Sequence, residues 1–173
     1  MRITWLGHAC FLLEEDGYRI VTDPYTGVEG YPPLEAEAHA VYCSHHHFDH
    51  DAVDCVRLLP ARESPFHVRE IQAFHDDQKG ALRGPNTIRV FTAGGVSVVH
   101  LGDLGHALSA EQVHSLPGAG LDTETAPEGV LLPKFWLTMN SKSRNIVLNT
   151  GLHGLEVRLW SAEQRSHFWG ILF

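Results

Sequence analysis

The first hundred residues are written in short apolar runs separated by Gly- and Pro-containing turns. Residues 3–6 and 10–13 read as short strands, and Asp16-Gly17 ahead of Tyr18-Arg19-Ile20-Val21 is a hairpin-turn signal, so the protein opens as a β-meander. Asp23-Pro24 leads into residues 25–33, too rich in Gly and Pro for regular structure, which form a surface loop or the border of a cleft. Ala40-Val41-Tyr42-Cys43 suits a buried strand, and residues 52–59 read as a helix stopped by Pro60. Residues 69–74, 86–91 and 96–101 read as three further strands, the last two joined by the turn Ala93-Gly94-Gly95. Ser109-Ala110-Glu111-Gln112 has the form of a capping box opening a short helix that ends before Pro117-Gly118. Beyond it, residues 118–129 read as a polar loop and residues 130–132, 146–148 and 155–160 as strands.

Against this frame one run stands out. His45-His46-His47-Phe48-Asp49-His50-Asp51 places four imidazoles and two carboxylates in seven residues directly after a buried strand. An affinity tag is terminal and lacks the interleaved Asp, so the pattern points to a metal. Side chains alternate along an extended strand end, so His45 and His47 can share one ion with His46 turned aside, while Asp49 and His50 can reach a second. Imidazole nitrogen and carboxylate oxygen suit zinc, iron or manganese, and no paired thiolate marks a closed structural zinc site. Two other strand ends carry similar groups: His75 after residues 69–74, where a distant ligand for the first ion would be expected, and Asp103, flanked by Gly102 and a second glycine two residues on.

Composition narrows the function classes. At 173 residues and 43% hydrophobic the chain supports one domain with a real core. The net charge of −8 leaves no basic stripe for nucleic acid or an anionic membrane. Cys10, Cys43 and Cys55 are scattered and odd in number, which suits free thiols in a reducing compartment. Neither a secretory signal nor a membrane span is visible, so a cytoplasmic protein acting on a small molecule is expected.

The separated motifs Ile3-Thr4-Trp5-Leu6-Gly7-His8-Ala9, Thr22-Asp23-Pro24-Tyr25, Ser44 to His50, Phe74-His75-Asp76, Arg83-Gly84-Pro85-Asn86-Thr87-Ile88 and His100-Leu101-Gly102-Asp103-Leu104-Gly105-His106 resemble the metallo-β-lactamase-fold hydrolase superfamily. More narrowly, they look like its small bacterial and archaeal branch related to ascorbate-6-phosphate lactonase. The resemblance implies an α/β fold, a four-layer αββα sandwich holding up to two divalent ions, zinc first, with manganese or iron as alternatives. It implies that His45, His47 and His75 bind the first ion, that Asp49 and His50 bind the second, and that Asp103 bridges both. It further implies a hydrolase in which a metal-held hydroxide, oriented by Asp49, attacks an ester, lactone or phosphoester. His8, His100 and His106 are placed beside the ligands or as packed histidines, Arg83 and Asn86 as loop-stabilising or substrate-contacting residues, and His39, His46, His67, His114 and His167 as surface or core residues.

The likeness covers residues 1–117, the metal-binding core. Residues 118–173 form a divergent segment without the late Pro-x-His whose His closes the second metal's shell in that branch. Residues 1–117 hold 16 Asp and Glu against 8 Lys and Arg, and residues 118–173 hold 5 against 5, so the whole negative charge lies in the first part. His153 is the candidate replacement ligand, and the apolar end, residues 168–173, must pack on the sandwich or join a second copy. A metal-binding relative with little or no catalysis is the alternative expectation.

Overall fold

Apolar runs punctuated by glycine turns become antiparallel ladders in the structure, a computed structural model that describes residues 1–117 and 145–148. Strands β1 (Arg2–Gly7), β2 (Cys10–Glu15) and β3 (Tyr18–Thr22) pair in sequence order. Asp16 and Gly17 take φ of 49° and 75°, the left-handed pair required by the tightest hairpin connection. After the Gly- and Pro-rich loop come β4 (Ala36–Ala38) and β5 (Ala40–Tyr42); β5 joins the sheet parallel to β3, giving the order β1-β2-β3-β5.

Residues 52–59 are not the helix expected. They form a 3₁₀ turn at Val53–Cys55 and then strand β6 (Val56–Leu58), paired parallel with β4. Val56 is the only buried side chain between residues 52 and 59, so no helical face is available to bury. The backbone instead completes its hydrogen bonds on β4, with Leu59 N–H donating to Ala38 O at 2.8 Å.

The second sheet follows the expected strands closely. β7 (His67–Phe74), β8 (Pro85–Ala93) and β9 (Val96–His100) are antiparallel neighbours, and β10 (Asn145–Leu148) lies parallel to β9. The two sheets pack face to face through Phe11, Leu13, Tyr18 and Ile20 on one side and Phe91, Ala93 and Val98 on the other. The alternate residues Cys10 and Val21 face outward under Tyr25, Ala38 and Val56, and Ile88, Val90 and Val99 do the same near Leu104, Leu108 and Leu116. Burial on both faces explains why runs such as Cys10-Phe11-Leu12-Leu13 are continuous instead of alternating.

Helix α1 (Ala110–His114) has the predicted capping box, with Gln112 N–H donating to Ser109 Oγ at 3.2 Å and Ser109 N–H donating to Gln112 Oε1 at 2.9 Å. Gln112 Nε2 also donates to Gln72 O at 2.7 Å, docking the helix on β7. It is the only α-helix among the described residues, which are therefore richer in strand than a layered α/β expectation suggests.

Two polar links fix the sheets at one end. Thr87 N–H donates to Ser44 O at 2.8 Å, and His100, buried on the inner face, donates from Nε2 to Ala9 O at 3.1 Å with its ring edge against Phe11. Phe91 is fully buried at the centre of this interface, edge-on to Tyr42. Phe91→Ala should destabilise the fold by about 3–5 kcal/mol, read as a lower midpoint in urea unfolding at unchanged slope.

Candidate metal centre

Strand direction assembles the site. β1, β3 and β5 run the same way in one sheet, β7 and β9 run the same way in the other, and their C-terminal ends meet at one end of the sandwich. His8 follows β1, Asp23 follows β3, His45 to Asp51 follow β5, His75 follows β7, and Asp103 follows β9. Residues up to 95 positions apart in the chain thus share one cleft, in the position where open α/β sheets usually carry ligands.

All six predicted ligands converge there. The rings of His45, His47 and His75 lie with centroids 4.5, 4.8 and 5.4 Å apart, and their nitrogens are close enough to share one ion. Asp103 Oδ2 sits 3.1 Å from His75 Nε2 and 3.4 Å from His50 Nε2, between the two groups. Asp49 Oδ2 lies 3.8 Å from His50 Nε2. His46 points away, as expected, with its side chain 88% exposed and Nδ1 2.6 Å from Asp51 Oδ2. The cause is a turn, not strand alternation: the chain leaves β5 before the cluster, and the N–H groups of His50 and Asp51 both donate to His47 O at 2.8 Å.

Two residues missing from the predicted set govern the tautomers. Asp23 is fully buried at the end of β3, with φ of 41°, and accepts from Ser44 N–H at 2.6 Å, Ser44 Oγ–H at 2.6 Å and His50 Nδ1–H at 2.8 Å. Since the single Ser44 hydroxyl proton goes to Asp23, the 2.9 Å contact between Ser44 Oγ and His45 Nδ1 must take its proton from the imidazole. One carboxylate therefore places a proton on Nδ1 of two histidines, directly for His50 and through Ser44 for His45. Their Nε2 atoms are left buried without a hydrogen-bond partner. Two orphaned imidazole lone pairs facing carboxylates are a donor set that fits a divalent cation, and a hydrogen-bonded carboxylate behind a ligating His is the usual support.

The electrostatics of the two rings differ. Burial, reinforced by the neighbouring His50, pushes the His45 imidazole down to about 4, keeping it neutral. Burial also opposes charge on His50, but the carboxylates of Asp103 and Asp23 outweigh it and push His50 up to about 10. Asp103 and Asp23 are held below the usual carboxylate range: burial works against both, and the histidines around them prevail. A bound divalent cation would satisfy the same carboxylates that favour imidazolium at His50.

The other polar residues of the motifs hold loops. Asn86, fully buried, donates from Nδ2 to Leu101 O at 2.9 Å and accepts at Oδ1 from Asp103 N–H at 3.1 Å, fixing the segment that carries Asp103. Gly102, at φ of 57°, has no room for a side chain, since a Cβ would strike Ser44 and Asn86. Asp76 accepts four backbone N–H groups, from Gln78, Gly80, Leu82 and Arg83, at 2.7–3.1 Å. Burial would raise its carboxyl, but those donors lower it below the ordinary value. His106 accepts from Phe74 N–H at 3.1 Å, and His39 accepts from Arg19 N–H at 3.0 Å while stacking on Tyr18, so both are structural. His153 lies outside the described residues.

Asp23→Asn should weaken metal binding by about 10–100-fold, because an amide presents N–H groups to donors it must accept from. Ser44→Ala, which interrupts only the route to His45, should have the smaller effect. Competition with a chromophoric chelator measures both, and unchanged affinity in Asp23→Asn would remove its role.

The comparisons with known proteins agree with the motifs. The model of the β-lactamase superfamily domain matches residues 2–123. A UPF0173 metal-dependent hydrolase of Opitutus terrae is 32% identical over 103 residues, covering 57% of this chain and 42% of its own length. One from Methanopyrus kandleri is 44% identical over 68 residues, 35% of this chain and 29% of that protein. The chain thus spans well under half of these relatives. A candidate Zn-dependent hydrolase of the metallo-β-lactamase superfamily from Thermotoga maritima aligns in three dimensions at a TM-score of 0.46 and 29% identity, covering 66% of this chain and 56% of that one. With a domain model matched over more than two thirds of its length, this chain belongs to the metallo-β-lactamase-fold superfamily.

Proposed function

We propose that this chain is a metal-dependent hydrolase that holds two divalent cations and cleaves an ester, lactone or phosphoester bond in a small molecule. The observation that carries the reading is Asp103 Oδ2, shared between His75 of one histidine group and His50 of the other. On this reading His45, His47 and His75 hold the first cation, Asp49 and His50 the second, and Asp103 both. The name metal-dependent hydrolase borne by the Opitutus and Methanopyrus relatives supports the reaction class. The likeness to the lactonase branch supports the choice of bonds. Zinc is the first candidate, with manganese and iron accepted by the same donors. The two facing sheets would be the ββ centre of an αββα sandwich, with α1 belonging to one outer layer.

When bound, divalent cations in such a site polarise the oxygen under attack and lower the pKa of water. The protein's own residues do the rest. Asp23 and Ser44 hold the imidazole protons on Nδ1, so that Nε2 of His45 and His50 face the cleft in a single tautomer. Asn86 and Gly102 fix the backbone of Asp103, which keeps its carboxylate within reach of both histidine groups. Asp49, only partly buried, would face the second cation through Oδ2, leaving its other carboxylate oxygen to orient an attacking water. Among the described residues no helix is long and apolar enough to cross a membrane.

Metal analysis of the purified full chain tests this. Two equivalents are expected, with His75→Ala and Asp103→Ala losing one or both and lowering turnover by more than the roughly 10–100-fold typical of an outer-shell change. Hydrolysis of generic esters or phosphodiesters should stop on chelation and return with Zn²⁺. Activity that survives chelation would overturn the metal mechanism. Two equivalents without turnover would instead favour a metal-binding relative with little catalysis.

A further inference from the structure

The two halves of the centre are unequally furnished. Among the described residues the first group has three imidazoles plus Asp103, enough for a tetrahedral shell, whereas Asp49 and His50 with Asp103 leave the second one donor short of it. The late histidine that closes this shell in the resembling branch has no counterpart motif in residues 118–173. Another described side chain is already in place.

We infer that His8 is the third protein donor to the second cation. The inference rests on the two-cation reading above. His8 Nε2 lies 3.9 Å from Asp49 Oδ2, and the His8, Asp49 and His50 ligand atoms all lie within 4.8 Å of one another. Nitrogen and oxygen donors about 2.0–2.2 Å from a tetrahedral ion stand about 3.3–3.6 Å apart, so the separations of 3.8 and 3.9 Å around Asp49 need to close by only a few tenths of an ångström. The ring meets His50 edge-on, centroids 4.9 Å apart, and Nδ1 is buried with no hydrogen-bond partner. The half-buried ring is thus held by no hydrogen bond at Nδ1, while the nitrogen turned toward Asp49 is Nε2.

The backbone is built to deliver it. The β1–β2 ladder slips between Trp5 and Gly7, and His8 then takes φ of 47°, a left-handed conformation that costs a non-glycine residue free energy and gathers at functional sites. Trp5 Nε1 clamps the strained residue by donating to His8 O at 2.8 Å. Gly7, at φ of 121°, brings the chain so close to Tyr25 that a Cβ would stand 2.6 Å from its hydroxyl oxygen. The remaining three-residue donor group around His50, with Asp23 and His45, does not compete, because both Asp23 oxygens are occupied by Ser44 and His50 donors.

The test is metal stoichiometry on the full chain loaded with Zn²⁺, and with Co²⁺ for its visible absorption, in wild type, His8→Ala, His8→Phe and His153→Ala. His8→Phe keeps the ring packing and removes both nitrogens. Both His8 variants should retain the first equivalent, bind the second at least about 10–100-fold more weakly, and lose the Co²⁺ band that develops with it, at unchanged circular dichroism. Should His8→Ala fail to fold, His8→Phe decides. Two equivalents at unchanged affinity in the His8 variants, or loss of the second only in His153→Ala, would overturn the inference and leave the two-cation reading standing. Loss of both equivalents in His8→Phe would make the residue structural, and a wild type that takes one equivalent would remove the two-cation reading itself.

Discussion

A single buried carboxylate, Asp23, underlies the chemistry at this end of the sandwich. It has no contact with water, and three donors, two from Ser44 and one from His50, occupy its oxygens. A buried anion is costly unless paired and hydrogen-bonded, so the arrangement tolerates little rearrangement. That stringency is useful. Because Asp23 accepts only, every proton around it is assigned, and two imidazoles present the same nitrogen to the cleft. The short distances also tie three segments together: the end of β3, the start of the histidine loop, and His50 six residues further on.

The second constraint is strand sense. Meandering antiparallel strands return every other strand end to the same side, and two such sheets packed face to face bring five of those ends together. Side chains from positions 8 to 103 can then meet without any long loop reaching across. The link from Thr87 N–H to Ser44 O and the link from His100 to Ala9 O set the relative height of the sheets, and hence whether His75 and Asp103 reach the loop after β5. Core packing and ligand geometry are coupled through these few polar contacts.

How much of this the sequence announces depends on how local each signal is. His45, His47, Asp49 and His50 are legible because the ligands lie within six residues, and strands β1, β2, β3, β7, β8 and β9 because their apolar runs are bounded by turn residues. Asp23 and Ser44 fall within the resembling motifs but nothing local gives them a role, since a lone Asp before Pro reads as a turn, and only the fold puts it under His50. The segment at residues 52–59 misleads for the opposite reason: it has helix-like length and a stopping Pro60, yet one buried side chain cannot support a helix, and three residues of β4 offered a better partner. His75, Asp103 and Asn86 fall between these cases. Their positions at strand ends were visible, while their convergence depends on sheet pairing that no local pattern encodes.

The inequality between the two halves of the centre bears on what the protein can do. The first group is anchored by His45, whose Nδ1 is fixed through Ser44, and by His75, whose side chain is nearly buried, so its geometry is imposed by the core. The second opens outward through Asp49 and His8, both partly exposed, and His8 sits on strained backbone. On the proposed two-cation reading, the rigid half would hold its ion while the looser half exchanges water and substrate. The strain at His8 has a place in that division. Left-handed backbone at a histidine is a standing cost to the fold, and an imidazole that merely packed against Tyr25 and Tyr31 would be held as well by relaxed backbone. What the strained conformation adds is the approach of a ring nitrogen to Asp49 and His50, so the free energy spent at position 8 is best understood as the cost of completing the outward-facing half.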